Sequence, residues 1–200
     1  MKNIAVFASG SGSNAQNLIQ FFNLSHREKG IQVSLVVSNR PDAFVVERAQ
    51  KLSVPTHIVP RAEFYPNADK GEYPLLHTLK TYHIDYIVLA GFLWLIPQYL
   101  IDAFPNRIVN IHPALLPAFG GKGMYGMNVH RAVITQGEQE SGITIHLVDS
   151  QYDHGSALFQ ARCRITAGET PESLSQKIHL LEMEHFPKVV DQWINEKLLQ

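Results

Sequence analysis

The 200-residue chain has 17 basic and 18 acidic side chains, no block of like charge and 45% hydrophobic residues. It therefore carries no electrostatic footprint for nucleic acid or an anionic membrane, and has enough apolar mass for one full core. No apolar run reaches the length of a bilayer span, Met1–Phe7 lacks a signal-peptide pattern, and the single Cys163 excludes an intramolecular disulfide. The expected setting is the cytoplasm and the expected partner a small molecule, with Cys163 a structural thiol rather than a nucleophile.

Lys2 to Ala8 reads as a buried strand that runs into Ser9-Gly10-Ser11-Gly12-Ser13-Asn14, after which Ala15 to Phe22 has helical spacing. In such a strand–glycine loop–helix unit the backbone N–H groups can approach an anion. The Ser11 and Ser13 hydroxyls add donors, and the helix start adds favourable partial charge. Gln32 to Ser38 reads as a second strand, Ala43 to Leu52 as a helix, Thr56 to Val59 as a short strand, Asp69–Gly71 as the opening of a helix to about Tyr82, and Asp85 to Ala90 as a further strand. Alternation of this kind implies crossover units and a mainly parallel sheet, with ligands beyond the carboxyl ends of the strands. Gly91-Phe92-Leu93-Trp94-Leu95-Ile96-Pro97 lies at one such end and is apolar enough to line a pocket for a flat ring; Phe92 and Leu95 read more simply as core.

Ile108 to Ile111 is a β-branched run, and Pro113 requires the strand to end at His112. Asn110 and His112, two apart on an extended chain, face the same way and offer an amide and an imidazole to one volume, which is equipment for stabilising an oxyanion and moving a proton. Residues 119–127 contain four glycines and read either as a lid over His112 or as a plain connector. His130 to Gln136 reads as a helix, and Ser141 to Val148 as a strand with Thr144 and His146 on one face. Asp149 to Gly155 reads as a polar turn, Ala157 to Arg164 as an antiparallel last strand, and Pro171 as the start of a closing helix capped by Thr170.

Gly10-Ser11-Gly12-Ser13-Asn14-Ala15 also fits the dinucleotide fingerprint G-x-G-x-x-A. That reading needs a carboxylate at the tip of the second strand, where Ser38-Asn39-Arg40 supplies none, although Arg40 suits the extra phosphate of NADP. The loop is no Walker A either, because Gly-Lys-Ser/Thr does not follow. A terminal monophosphate on a small substrate fits better.

Taken in order, Ser9–Asn14, Leu89-Ala90-Gly91-Phe92, Asn110-Ile111-His112-Pro113-Ala114-Leu115-Leu116-Pro117, Ser141-Gly142-Ile143-Thr144-Ile145-His146 and Asp153-His154-Gly155 resemble the folate-dependent formyltransferase family, in its purine-biosynthesis branch, over nearly the whole chain. The resemblance implies an α/β, single-domain Rossmann-like formyltransferase fold, with a mainly parallel sheet, helices on both faces and an antiparallel C-terminal strand. It implies one domain over residues 1–200, with a phosphate-binding half to about residue 105 and a catalytic, folate-binding half from about 106. The implied reaction moves a formyl group from the co-substrate 10-formyltetrahydrofolate to the amine of glycinamide ribonucleotide, with no metal. Asn110, His112 and Asp153 match the family's catalytic residues. Gly12, Ser13, Asn14, His179 and Glu182 match positions that hold the ribonucleotide. Leu93, Trp94, Leu95, Ile96, Asn110 and the turn Asp149, Ser150, Gln151, Tyr152, Asp153 match positions that hold the folate. His146 matches a histidine near the site.

Three departures stand out. Many relatives carry a basic residue where this chain has Trp94, and the basic residue expected between Phe64 and Tyr73 has no clear counterpart, Lys70 being a weak candidate. His154 stands where relatives have glycine. The sequence argues for no particular oligomer. A tRNA-directed formyltransferase would be expected to carry a basic C-terminal domain, and a formyltetrahydrofolate hydrolase an N-terminal regulatory one. A zinc hydrolase built on His112, His130, His146 and Asp153 finds no supporting H-E-x-x-H or C-x-x-C spacing.

Overall fold

The computed structural model describes residues 1–67 and 72–196. The elements, in chain order, are β1 (Lys2–Phe7), α1 (Ser13–Ile19), β2 (Ile31–Ser38), α2 (Phe44–Lys51), β3 (Thr56–Ile58), α3 (Arg61–Phe64), α4 (Pro74–Thr81), β4 (Tyr86–Leu89), α5 (Gln98–Ala103), β5 (Ile108–His112), α6 (Met127–Thr135), β6 (Glu140–Leu147), β7 (Ala157–Arg164) and α7 (Pro171–Ile194). The strands order as β3-β2-β1-β4-β5-β6-β7. The chain forms two compact units, residues 1–108 and 109–200.

In the first unit β1 pairs in parallel with β2 and β4, and β2 with β3. Ile4, Ala5, Val6 and Phe7 are all fully buried. Because successive strand residues point to opposite faces, this continuous burial means that both faces of β1 are covered, as a parallel sheet requires. Ile4, Val6 and Phe7 each contribute about 1.5–3 kcal/mol on burial. The expected helix over Ala15 to Phe22 divides: α1 ends at Ile19, and a wider π-helical turn spans Gln20–Ser25, burying Phe22 and stacking Phe21 on His26 at 4.1 Å between ring centres. The helix opening placed at Asp69–Gly71 falls outside the described residues. Helix α4 itself begins at Pro74, where a missing N–H leaves no helical bond unmade.

In the second unit β6 pairs antiparallel with both β5 and β7. The last strand is antiparallel to its neighbour as expected, and β6 also runs against β5. The register sets Asn110 opposite His146 and His112 opposite Thr144, so all four side chains share one face. Helix α7 starts as expected: the Thr170 side chain accepts from the Ser173 N–H, and the Ser173 hydroxyl accepts from the Thr170 N–H.

Candidate active site

In the first unit the glycine loop is organised by its backbone. Gly12 has φ +76° and caps α1, and a Cβ built there would lie 2.5 Å from the Val45 side chain, so both the left-handed conformation and the close approach of α2 require glycine. The Gly10 carbonyl accepts from the Val45 N–H, and the Ser11 carbonyl accepts from Arg48 Nε at 2.9 Å. Arg48 also donates to Gln16. A guanidinium therefore stands beside the loop, a feature the sequence reading did not link to it. Ser13 and Asn14 form the first turn of α1, half-buried. Ser9 ties the loop to the apolar segment after β4, its N–H donating to the Gly91 carbonyl and its Oγ accepting from the Leu93 N–H, both at 3.0 Å. Within that segment Phe92 and Ile96 are buried, Trp94 and Leu95 half-buried, and Leu93 is 39% exposed. Phe92 is core, as expected, packing edge-on against Phe7. Arg40, weighed above for NADP, pairs instead with Asp42 at 3.1 Å.

In the second unit three of the expected residues meet a fourth. Asn110 Nδ2 lies 3.0 Å from His146 Nε2 and donates to Asp153 Oδ1 at 3.4 Å. His112 Nδ1 lies 3.5 Å and His146 Nε2 3.6 Å from the Asp153 carboxylate. His146 Nδ1 faces the Leu147 carbonyl at 2.8 Å, and a carbonyl only accepts. Nδ1 therefore donates to it, while Nε2 lies between the Asn110 amide and the Asp153 carboxylate. By the same reasoning His112 Nε2 donates to the Phe119 carbonyl at 2.8 Å. The Gly121 N–H donates to Asp153 Oδ2 at 2.9 Å, so the glycine-rich loop is tied to the network through both its carbonyl and its amide groups.

Two local devices aim Asp153. It takes a left-handed backbone conformation, φ +54°, which Asp tolerates better than most residues and which turns its carboxylate inward. Gly155 lets the turn lie against β6, since a Cβ there would fall 1.9 Å from the Leu147 carbonyl oxygen. Burial raises the Asp153 carboxyl, but the neighbouring His146, the charge of His112 and the Gly121 N–H together outweigh it, so the group lies below the ordinary carboxylate value and is ionised at neutral pH. His112 is governed by burial. Burial lowers its pKa, and the Asp153 carboxylate and the Phe119 carbonyl only partly restore it, so the imidazole is neutral at neutral pH.

Beneath the network Thr144 is saturated. Its hydroxyl donates to the Ala114 carbonyl at 2.7 Å and accepts from the Leu116 N–H and Gln160 Nε2, both at 2.9 Å, while Gln160 also donates to the Leu116 carbonyl. These contacts fix the segment that follows His112. Nothing local to Thr144 or Gln160 marks this role; the same-face spacing of Thr144 and His146 was the only signal.

Other expected residues lie in the turn and on α7. Asp149 accepts from the Gln151 N–H and meets His154 Nδ1 at 2.7 Å, so His154 faces outward onto Asp149 and away from the network. Ser150, Gln151 and Tyr152 are exposed beside it. On α7, His179 Nδ1 meets Glu182 at 3.5 Å, and that carboxylate raises the His179 pKa against the opposing effect of burial. Lys70 lies outside the described residues. Among the described residues no cluster of three or more His, Cys, Asp or Glu is arranged to hold a metal, and no helix is long and apolar enough to cross a membrane. Cys163 is half-buried, and burial raises its thiol pKa, as suits an unreactive side chain.

The geometry can be set beside known proteins. Residues 2–190 match the formyl transferase family. The chain is similar to the chloroplastic phosphoribosylglycinamide formyltransferase of Arabidopsis thaliana, 41% identical over 98% of this chain and 67% of that protein. It is also similar to the phosphoribosylglycinamide formyltransferase of Bacillus subtilis, 34% identical over 96% of this chain and 94% of that one. Among solved structures, the phosphoribosylglycinamide formyltransferase of Bacillus halodurans superposes with a TM-score of 0.83 at 34% identity, covering 98% of this chain and 97% of that one. On the match of its motifs, fold and near-complete length, this chain belongs to the formyl transferase family.

Proposed function

We propose that this chain transfers the formyl group of 10-formyltetrahydrofolate to the amine of glycinamide ribonucleotide, in purine biosynthesis. The observation that carries the reading is the Asn110–His146–Asp153–His112 network at one strand end, within a chain of this family. The loop at Gly12, Ser13 and Asn14 takes the substrate phosphate and the apolar Leu93–Ile96 segment takes the flat pterin, while Asn110, His112 and Asp153 act on the reacting atoms. The turn Asp149–Asp153 contributes to the folate side, and Glu182 with His179 to the ribonucleotide side. The single cysteine and balanced charge suit a cytoplasmic enzyme acting on small molecules.

In the reaction the amine nitrogen attacks the formyl carbon, the carbonyl electron pair moves onto oxygen, and collapse expels the folate nitrogen. One proton leaves the attacking nitrogen and one reaches the departing nitrogen. Asn110 and His112 donate to the developing oxyanion, each such donor typically supplying a few kcal/mol. The ionised Asp153 accepts the amine proton, directly or through water, and favours the protonated form of His112 as it appears. His112 Nε2 is held by the Phe119 carbonyl, and Asn110 Nδ2 by Asp153 and His146. For His112 to reach substrate, the loop carrying Phe119 rearranges when both ligands bind. Unchanged hydrogen-exchange protection of residues 119–127 on binding would exclude that motion.

The test is a formyl-transfer assay with glycinamide ribonucleotide and the folate donor. Wild type is expected to form the formylated amide. Formate release without an amine acceptor would replace the reading with a hydrolase, and a nicotinamide-dependent absorbance change would return the glycine loop to a dinucleotide.

A further inference from the structure

Arg61, at the start of α3, has its guanidinium carbon 5.0 Å from the centre of the Tyr65 ring and 5.7 Å from that of Trp94. The surface beneath it is fixed. Tyr65 donates its hydroxyl to the Leu95 carbonyl at 2.7 Å, and Trp94 packs against Phe64, itself fully buried, with ring centres 5.2 Å apart. The nearby carboxylate, Glu63, is occupied by His57 Nε2 at 2.8 Å. Among the described residues no acceptor pairs with the Arg61 guanidinium. The side chain is exposed, permanently charged and seated on aromatic faces, which leaves the edges of its planar fork available.

A carboxylate is the ligand that fits such a fork, through two parallel charge-assisted hydrogen bonds. The ordinary discount on an exposed ion pair is the entropy of holding a long side chain still, and here the aromatic seat has already restricted Arg61. The same few residues present the apolar Leu93–Ile96 segment, so one surface of the first unit offers an apolar strip and a cation. The formyl donor is amphipathic in the matching way, with a flat ring system at one end and a glutamate bearing two carboxylates at the other.

We propose that Arg61 binds the glutamate carboxylates of the formyl donor, and that Trp94 serves this end by seating the guanidinium rather than by carrying charge. The proposal rests on the formyl-transfer reading above. It makes Arg61 a specificity-determining residue: it acts on donor affinity and leaves the chemical step alone.

The experiment compares wild type, Arg61→Gln and Arg61→Lys with two donors, 10-formyltetrahydrofolate and its analogue with both tail carboxylates converted to amides. Loss of a charge-assisted contact is expected to raise KM for the glutamyl donor roughly tenfold in Arg61→Gln, with kcat within about twofold. For the diamide donor the two proteins should have equal KM, already raised in wild type. Arg61→Lys, which keeps the charge and loses the fork, should fall between. An equal KM increase with both donors would assign Arg61 a purely structural part and overturn the proposal, as would an unchanged KM for the glutamyl donor. Absence of transfer by wild type from either donor would instead refute the underlying reading.

Discussion

Between β1 and α1 the candidate phosphate site is made of backbone, positioned by one glycine against Val45; at the end of β5 the candidate catalytic site is made of side chains drawn from β5, β6 and the turn before β7. The first kind of site depends on the path of the main chain and is insensitive to most side chains near it. The second depends on the register of two strands and on every partner being present. The difference follows from the tasks: a phosphate needs only N–H groups and favourable charge, whereas a formyl transfer needs groups that change their proton and hydrogen-bond partners during the reaction.

That contrast can be broken in several places. The largest effect is expected at the second site: Asn110→Ala, His112→Ala or Asp153→Asn should each lower kcat by roughly 10²–10⁴, and the double variants should fall little further because the groups act as a unit. Steady-state kinetics on folded variants measures this, and additive losses would mean that the contacts among Asn110, His146 and Asp153 are incidental. Next, Gly12→Ala should cost about 2–3 kcal/mol of stability, since the methyl meets Val45 and the backbone is left-handed. Ser11→Ala and Ser13→Ala should change the ribonucleotide KM only a few-fold by comparison. Urea unfolding and KM measurements would expose a loop that relies on its hydroxyls instead.

Thr144→Val should cost about 1–3 kcal/mol, because it strands the Leu116 N–H and the Ala114 carbonyl, and should lower kcat along with stability by loosening the segment after His112. A loss of stability with unchanged kcat would separate that segment from catalysis. The smallest effect concerns pH. Burial lowers the pKa of His130 from 6.5, opposed in part by Glu182, so the unfolded chain takes up this proton first as pH falls. The resulting stability is fully present above the unfolded value and is lost as pH falls from about 6.5 toward the folded value. The urea midpoint of wild type should drop between pH 7.5 and 5.5, and His130→Leu should flatten that drop; an unchanged slope would mean that His130 does not titrate on unfolding.

Much of this arrangement is legible in the sequence. Pro113 ends β5 at His112, and the same-face spacing of Asn110 with His112 and of Thr144 with His146 follows from strand geometry alone. Capping by Thr170 and Pro171 was equally local. The boundary of α1 was not, because the π-helical turn answers to the burial of Phe22, a tertiary demand. Nor was the state of His112: its sequence neighbours say nothing of the burial that outweighs Asp153.

The order of residues by itself determined which chemistry the chain carries, an amide, an imidazole and a carboxylate, and separately a glycine loop, because proline, glycine and strand periodicity act over a few residues. Tertiary structure decided how those groups are used. Strand register brought His146 opposite Asn110, the left-handed backbone at Asp153 aimed its carboxylate, and packing after β4 seated Arg61 on Trp94. Each of these joins residues through space, and charge, burial and hydrogen bonding act through space whatever the separation along the chain.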